Sequence, residues 1–354
     1  MKKILLTGGG TAGHVTPNLA LVPYLTEAGF HIEYMGSYDG IEKQLVEAEG
    51  IPYHGISSGK LRRYMDVKNL TDPIRILKGL REARQYMKRE RPDVVFSKGG
   101  FVSVPVIMAA SEYHIPIVIH ESDLSPGLAN KLSIPRANKV CYSFPETAQY
   151  LNKDKAVHTG LPVRQELLQG NASAGLDFCG FSQGKPVLLI IGGSLGSAAV
   201  NKAVRECLPE LLKEFQVIHI CGKGKTEDQY DRTPSYRQFE YVREELPDLF
   251  AVADLVISRA GANVINELAA LQKPAILVPL GTDQSRGDQI LNADSFARRG
   301  FSAVLKEENM NAQTLVAMVR SVYQNKDTYI RAMKEAGQED ACQKVTRIIL
   351  SVIS

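Results

Sequence analysis

No apolar run in the 354 residues approaches the roughly eighteen that a membrane-spanning helix needs, so any membrane contact has to be peripheral. The opening Met1-Lys2-Lys3-Ile4-Leu5-Leu6 is too short in its apolar part for a secretory signal and reads as a first β-strand. Cysteine is sparse: Cys141, Cys179, Cys207, Cys221 and Cys342 are odd in number and form no C-x-x-C pair. That pattern argues against a disulfide framework or a zinc site and for reduced cytosolic thiols. The charge excess is small, a net +3, too mild to imply nucleic-acid binding by itself. Low-complexity tracts and short-period repeats are also missing. What is present is an ordinary globular composition, 44% hydrophobic and 23% charged. The length suits two domains of about 150 residues each, each able to sustain its own core.

Apolar runs alternate with helical patterns. Strands are expected at Lys3 to Thr7, His31 to Met35, Asp93 to Phe96 and Pro116 to His120, with a helix from about Pro17 to Ala28. The rhythm restarts at Pro186 to Ile191. A helix follows from about Ala198 to Phe215, then strands at Val217 to Cys221, Leu255 to Ile257 and Ala275 to Val278. This is the signature of α/β domains with doubly wound parallel sheets. A strand–glycine loop–helix opening occurs at Gly8 and again at Gly192, 184 residues later, about one domain length. The linker is expected near His158 to Val163, giving domains 1–162 and 163–339. A loose Gly-, Ser- and Ala-rich segment is expected from Gly170 to Lys185.

Gly8, Gly10 and Gly13 satisfy G-x-G-x-x-G, which suggests a dinucleotide site. The next strand, however, has no acidic residue at its end to hold a ribose, and the loop adds Thr11 and His14, which a plain phosphate cradle does not need. A tight turn without a ligand is the simpler alternative for one such loop. Two loops, one per domain, favour helix N-termini gathered around a diphosphate. Ser258 to Glu267 follows a strand and opens a helix. Glu267 there is either a partner for a ribose diol or a glutamate favoured by the helix dipole. Pro279 to Ala293 is either a solvated loop or a reader of sugar hydroxyls. His120-Glu121-Ser122-Asp123 puts ionisable groups at the carboxyl end of a strand, where sites lie.

Residues 60–91 hold eleven cations against four anions. Within them a helix is expected from Asp72 to Glu90, with Ile76, Leu80, Ala83 and Met87 on its core face. Ile74 and Leu77 fall off that stripe beside Arg75, Lys78 and Arg81. This is either a solvated basic face or a patch for an anionic membrane surface.

Gly8-Gly9-Gly10-Thr11-Ala12-Gly13-His14 resembles the N-terminal loop of the MurG family, the N-acetylglucosaminyltransferases of peptidoglycan lipid-intermediate synthesis. The resemblance continues through Lys98 to Ser103, His120-Glu121, Gly127 to Lys131, Gly160 to Arg164, Gly192 to Gly196 and Arg259 to Glu267, covering nearly the whole chain in order. It implies a GT-B fold, two Rossmann-like domains facing across a cleft, with the final helix of residues 340–354 packing back onto the first. It implies inverting transfer of N-acetylglucosamine from UDP-N-acetylglucosamine to the C4 hydroxyl of undecaprenyl-diphospho-N-acetylmuramoyl-pentapeptide. No metal or other cofactor is implied. The expected setting is the cytoplasmic face of the membrane, with cell-wall or division proteins as partners and no nucleic acid.

By position, His14 matches the family's general base, and Gly10, Asp123 and Asn130 match positions of its acceptor or N-domain site. Thr11, Ala12, Gly13, Arg164 and Ser194 match donor contacts, and Val242 the uracil site. Ala262, Asn263, Val264, Ile265, Asn266 and Glu267 match the nucleotide segment, with Glu267 on the ribose. Gln289 and Asn292 match the loop that reads sugar hydroxyls. Residues 74–81 align with the family's membrane patch. Ala12 replaces a common glycine, Asp123 stands where some members carry Asn, and Asp288 where some carry a second glutamine. The rival readings are a diacylglycerol glycosyltransferase of the same fold, a UDP-N-acetylglucosamine 2-epimerase, and a non-enzymatic dinucleotide sensor or membrane scaffold.

Overall fold

The structure is a computed structural model that describes residues 2–59, 72–193, 196–282, 285–337 and 339–353. The chain divides into two compact units, Met1–Arg164 with Glu339–Ser354, and Gln165–Gln338.

The first unit is a seven-stranded sheet in the order β3-β2-β1-β4-β5-β6-β7, with every pairing parallel. Its strands are β1 (Lys2–Thr7), β2 (Phe30–Ser37), β3 (Tyr53–Ile56), β4 (Val94–Ser97), β5 (Ile117–Glu121), β6 (Lys139–Tyr142) and β7 (Ala156–His158). Its helices are α1 (Thr16–Glu27), α2 (Ile41–Ala48), α3 (Asp72–Glu90), α4 (Ser103–Glu112) and α5 (Leu128–Ser133). Central strands such as Val94–Ser97 are buried along their whole length, as a parallel sheet covered on both faces requires. Two cores result. Ile4, Leu6 and Phe96 pack under Leu21 and Leu25 of α1, while Leu5, Val95 and Ile117 pack under Leu80, Ala83 and Met87 of α3 and Val106 of α4.

The second unit is a six-stranded parallel sheet in the order β10-β9-β8-β11-β12-β13. Its strands are β8 (Val187–Ile191), β9 (Gln216–Ile220), β10 (Tyr236–Phe239), β11 (Leu255–Ser258), β12 (Ala275–Leu277) and β13 (Ser302–Val304). Its helices are α6 (Ala172–Cys179), α7 (Ala198–Glu214), α8 (Leu246–Val252), α9 (Ala262–Ala270), α10 (Asp288–Arg298), α11 (Ala312–Gln324) and α12 (Lys326–Glu335). The segment expected to be loose thus contains α6. Asn171 caps it by accepting from Ser173 N and Ala174 N, and Gly180 ends it with φ +63°, a conformation glycine takes without strain. Gly175 lies where a Cβ would meet the Asp248 carbonyl carbon at 2.9 Å, so its small size serves the packing of α6 on α8.

The last helix, α13 (Ala341–Ser351), belongs to the first unit. Cys342, Val345 and Ile349, spaced three and four apart, are fully buried in the core with Leu21 and Leu25. Asp340 caps the helix and accepts the Tyr24 hydroxyl of α1 at 2.6 Å. The break between units falls at Arg164, two residues beyond the expected end of the first domain, so Arg164 goes with the first sheet.

Both sheets change winding direction beside their first strand, between β1 and β4 and between β8 and β11. Crevices beyond the carboxyl ends of strands at such points are where open α/β sheets bind ligands.

Candidate active site

At the first switch point the glycine loop after β1 is held on every side. The Gly8 carbonyl accepts from the Tyr34 hydroxyl at 2.8 Å, and Tyr34 in turn accepts from Asn18 Nδ2 at 3.1 Å. Gly9 N donates to the Gly99 carbonyl of the loop after β4 at 3.3 Å. Gly10 N donates to Glu42 Oε2 at 3.1 Å. The other oxygen of Glu42 accepts from Ser37 N at 3.0 Å and from the Ser37 hydroxyl. Glu42 is fully buried, so this one carboxyl group ties α2 to the ends of both β1 and β2. Gly100 (φ +84°) backs onto Gly9 so closely that a Cβ would collide with the Gly9 carbonyl.

The loop aims His14, which ends a 3₁₀ turn of Ala12–His14 rather than sitting in α1 itself. Its Nδ1 lies 3.0 Å from the Gly9 carbonyl and 3.1 Å from Thr11 Oγ1. A carbonyl only accepts, so Nδ1 carries the ring proton and Nε2 is the basic nitrogen of the neutral ring. Thr11 and Gly10 are exposed, and Ala12, Gly13 and His14 half-buried.

Beside this loop Glu121 ends β5, buried, and organises the chain that follows. It accepts from Asp123 N at 3.0 Å, Gly127 N at 3.1 Å and Asn130 Nδ2 at 2.8 Å. Asn130 is itself buried, with its Oδ1 unpartnered among the described residues and about where a Cβ on Gly99 would touch it. Asp123 is half-exposed. Lys98, at the end of β4, is buried and bonds His120 Nδ1 at 2.7 Å and Ser122 Oγ. Burial pulls its pKa down to about 7. Burial, and then the Lys98 charge, holds His120 well below the ordinary histidine range.

The second switch point is braced by Arg259, which follows β11 and is nearly buried. Its guanidinium donates to Ser197 Oγ at 2.6 Å and to the Val278 carbonyl after β12 at 3.2 Å, and pairs with Glu307. Ser197 Oγ also accepts from Val200 N, capping α7. Arg259 therefore fixes the helix N-terminus behind the second glycine loop, where backbone N–H groups favour an anion. Gly196 (φ +67°) is required there, since a Cβ would collide with the Cys221 carbonyl. Ser194 lies outside the described residues.

The structure spreads the remaining candidates over two kinds of place. In α9, Asn263, Val264 and Glu267 lie on the half-exposed side, whereas Ala262 and Ile265 are buried. Glu267 is the sixth residue of α9, too deep in the helix to cap it. Asn266 spends its amide on the Ala262 carbonyl at 2.8 Å. Gln289 accepts from Leu280 N at 3.1 Å and so seats the loop before α10. Asn292 is fully buried and reaches the Ala260 carbonyl at 3.4 Å, stapling α10 to the loop after β11. Val242 is buried in irregular chain after β10, which leaves only its backbone groups for recognition. Arg164 is half-buried, and its Nε is buried without a hydrogen-bond partner among the described residues.

On α3 the core stripe forms as expected: Leu80, Ala83 and Met87 are buried and Ile76 is half-buried. Ile74 and Leu77 are 68% and 66% exposed, beside exposed Arg75, Lys78 and Arg81. Lys60, Arg62, Arg63 and Lys68 lie outside the described residues. Among the described residues no helix is long and apolar enough to cross a membrane. Glu42, Tyr34 and Ser197 are not among the site residues expected from the sequence. The glycines that Glu42 crowds, Gly36 and Gly40, were the available signal for it.

Residues 4–142 match the glycosyltransferase family 28 N-terminal domain, and residues 187–348 match the glycosyltransferase family 28 C-terminal domain. The UDP-N-acetylglucosamine–N-acetylmuramyl-(pentapeptide) pyrophosphoryl-undecaprenol N-acetylglucosamine transferase of Lachnospira eligens is 60% identical over 349 residues, 99% of this chain and 99% of that protein. The crystal structure of Acinetobacter baumannii MurG matches with a TM-score of 0.78 and 26% identity, over 99% of this chain and 100% of that one. The UDP-GlcNAc 2-epimerase of Methanocaldococcus jannaschii also matches, with a TM-score of 0.70 and 14% identity over 99% of this chain and 100% of that one, a likeness of fold alone.

Proposed function

This chain belongs to glycosyltransferase family 28, and from that premise we propose that it transfers N-acetylglucosamine from UDP-N-acetylglucosamine to the C4 hydroxyl of undecaprenyl-diphospho-N-acetylmuramoyl-pentapeptide. Likeness to the Lachnospira enzyme along nearly the full length of both chains supports this choice over the epimerase, which shares the fold at low identity. The observation that carries the chemistry is His14, whose Nδ1 is held on the Gly9 carbonyl so that Nε2 is the proton acceptor.

The step is a single displacement with inversion. The acceptor C4 oxygen attacks the anomeric carbon as its proton passes to His14 Nε2. The bond from the anomeric carbon to the diphosphate breaks, and UDP leaves with the electron pair. In the second unit, the α7 N-terminus that Arg259 and Ser197 brace stabilises the charge on the leaving diphosphate. Arg164 is a second source of positive charge, and Glu267 holds the ribose hydroxyls. Val242 offers backbone groups to the uracil, and Gln289 orders the loop that reads the sugar.

We further propose that Ile74 and Leu77, ringed by Arg75, Lys78 and Arg81, rest on an anionic membrane surface at its cytoplasmic face, where a lipid-linked acceptor is found. The test is a reaction in detergent with labelled UDP-N-acetylglucosamine and the lipid-linked muramoyl-pentapeptide. Label is expected in the lipid fraction with one UDP released per sugar moved. UDP release without label in lipid refutes the assignment.

A further inference from the structure

Lys98 has no part in the mechanism above, yet it is a buried amine one residue before Gly99, whose carbonyl accepts from Gly9 N in the loop that aims His14. Its two partners, His120 Nδ1 and Ser122 Oγ, both lie at or just beyond the end of β5. His120 Nε2 faces the Gly160 carbonyl at 2.8 Å. That nitrogen therefore carries the ring proton, and Nδ1 is the acceptor that Lys98 needs. The amine thus locks the carboxyl end of β4 to that of β5. The next residue, Gly99, accepts from Gly9 N, and the Gly9 carbonyl holds His14 Nδ1. One continuous run of bonds leads from Lys98 to the proposed base.

The ionisable groups facing Lys98 are His120 and Glu121 of β5, Asp123 of the loop beyond, and Cys141 of β6. His158 of β7 acts on His120. Burial keeps His120 neutral and pushes the Cys141 thiol up to about 12, so neither changes charge near neutrality. Glu121 and Asp123 are left to favour the ammonium form.

We propose that Lys98 is a positioning residue for His14: as an ammonium it joins the β4 and β5 ends, fixes Gly99, and through Gly9 sets the aim of the base. The proposal rests on the transfer reaction and on His14 as its base. Burial brings Lys98 to about 7. The aim therefore weakens as pH rises through that value, and turnover falls on the alkaline side.

The experiment measures kcat from pH 6 to about 9.5, with both substrates saturating, in wild type, Lys98→Met and Ser122→Ala, alongside UDP binding. Lys98→Met is expected to lower kcat about ten- to a hundredfold, to leave UDP affinity unchanged, and to remove the alkaline fall. Ser122→Ala removes one acceptor of the ammonium. It is expected to lower kcat severalfold and to move the alkaline limb to lower pH. A wild-type protein that binds UDP without transferring sugar counts against the reaction itself. Wild-type transfer with the same alkaline limb in both variants overturns the role of Lys98. If Lys98→Met does not fold, the position of the Ser122→Ala limb decides.

Discussion

Replacing Glu42 by glutamine tests whether the first glycine loop is held in advance for its task. The carboxyl group accepts from Gly10 N with one oxygen and from Ser37 N and the Ser37 hydroxyl with the other, at a fully buried position. Glutamine keeps one acceptor oxygen and turns the other into an N–H₂ group that confronts a backbone N–H. One hydrogen bond is lost and one buried donor is left unsatisfied, a cost of about 1.5–3 kcal/mol. Alanine removes both acceptors and costs about twice that. Against a total stability of about 5–15 kcal/mol the glutamine variant should still fold. Urea unfolding followed by circular dichroism gives the stability, and amide hydrogen exchange over residues 8–15 gives the local loosening. The same variant should lose about tenfold or more in kcat, because His14 is aimed by this loop. Glu42→Gln within about 0.5 kcal/mol of wild type, by the roughly linear urea extrapolation, and with unchanged exchange and turnover, would mean that Glu42 does not hold the loop.

His14→Ala should lower kcat by about 10²–10⁴, the usual worth of a positioned base, while UDP binding measured by calorimetry stays the same; full turnover would remove His14 from the mechanism. Lys78 and Arg81 to serine together should weaken binding to vesicles containing phosphatidylserine by roughly thirtyfold, at about 1 kcal/mol per cation; unchanged sedimentation with the vesicles would leave α3 a solvated face. Burial raises the Glu33 pKa, but hydrogen bonds from Tyr86, Lys3 and His54 outweigh it and hold the acid below its ordinary 4.5. A depressed acid contributes stability above its unfolded pKa that is lost as pH falls through the folded value. Glu33→Gln should therefore flatten the acid limb of the stability curve below about pH 4.5, and an unaltered slope would contradict this. Ile349→Ala should cost about 2–5 kcal/mol in thermal or urea melts, since that side chain of α13 is fully buried in the first unit's core; a loss under 1 kcal/mol, on the scale of surface substitutions, would mean that α13 adds little to that core.

The interior of both sheets could be read from the sequence because parallel strands covered on two faces must be apolar runs, as in Val187–Ile191. All four edge strands, β3, β7, β10 and β13, escaped that reading. They are three or four residues long, and segments such as Tyr-Arg-Gln-Phe in β10 are half-buried and carry no apolar run. Among the interior strands β6 escaped too, since Lys139-Val140-Cys141-Tyr142 opens on a lysine and holds no aliphatic run. α6 was hidden by composition, since Gly, Ser and Ala suggest a loose segment until Asn171 and Gly180 are recognised as its two caps. Local spacing was enough to place His14 and the two glycine loops between a strand and a helix, and Glu267 within the helix that follows β11. Tyr34 and Arg259 act through contacts made across the sheet, and nothing in their local sequence separates a buried brace from an ordinary surface or core residue, whereas Glu42 had Gly36 and Gly40 beside it as a local sign. Asn292 shows the converse: it sits in a segment that resembles a sugar-reading loop, and its side chain is fully buried against Ala260.

The proposed reaction pairs one donor with one acceptor. Labelled UDP-N-acetylglucosamine would be offered to the purified protein with undecaprenyl-diphospho-N-acetylmuramoyl-pentapeptide and diacylglycerol together, and in a second reaction with no lipid. Label is expected in the muramoyl lipid alone, joined at C4 with inverted anomeric configuration, with no change to the nucleotide sugar when lipid is absent. Label in diacylglycerol, a retained configuration, or conversion of free UDP-N-acetylglucosamine to its C2 epimer would contradict it.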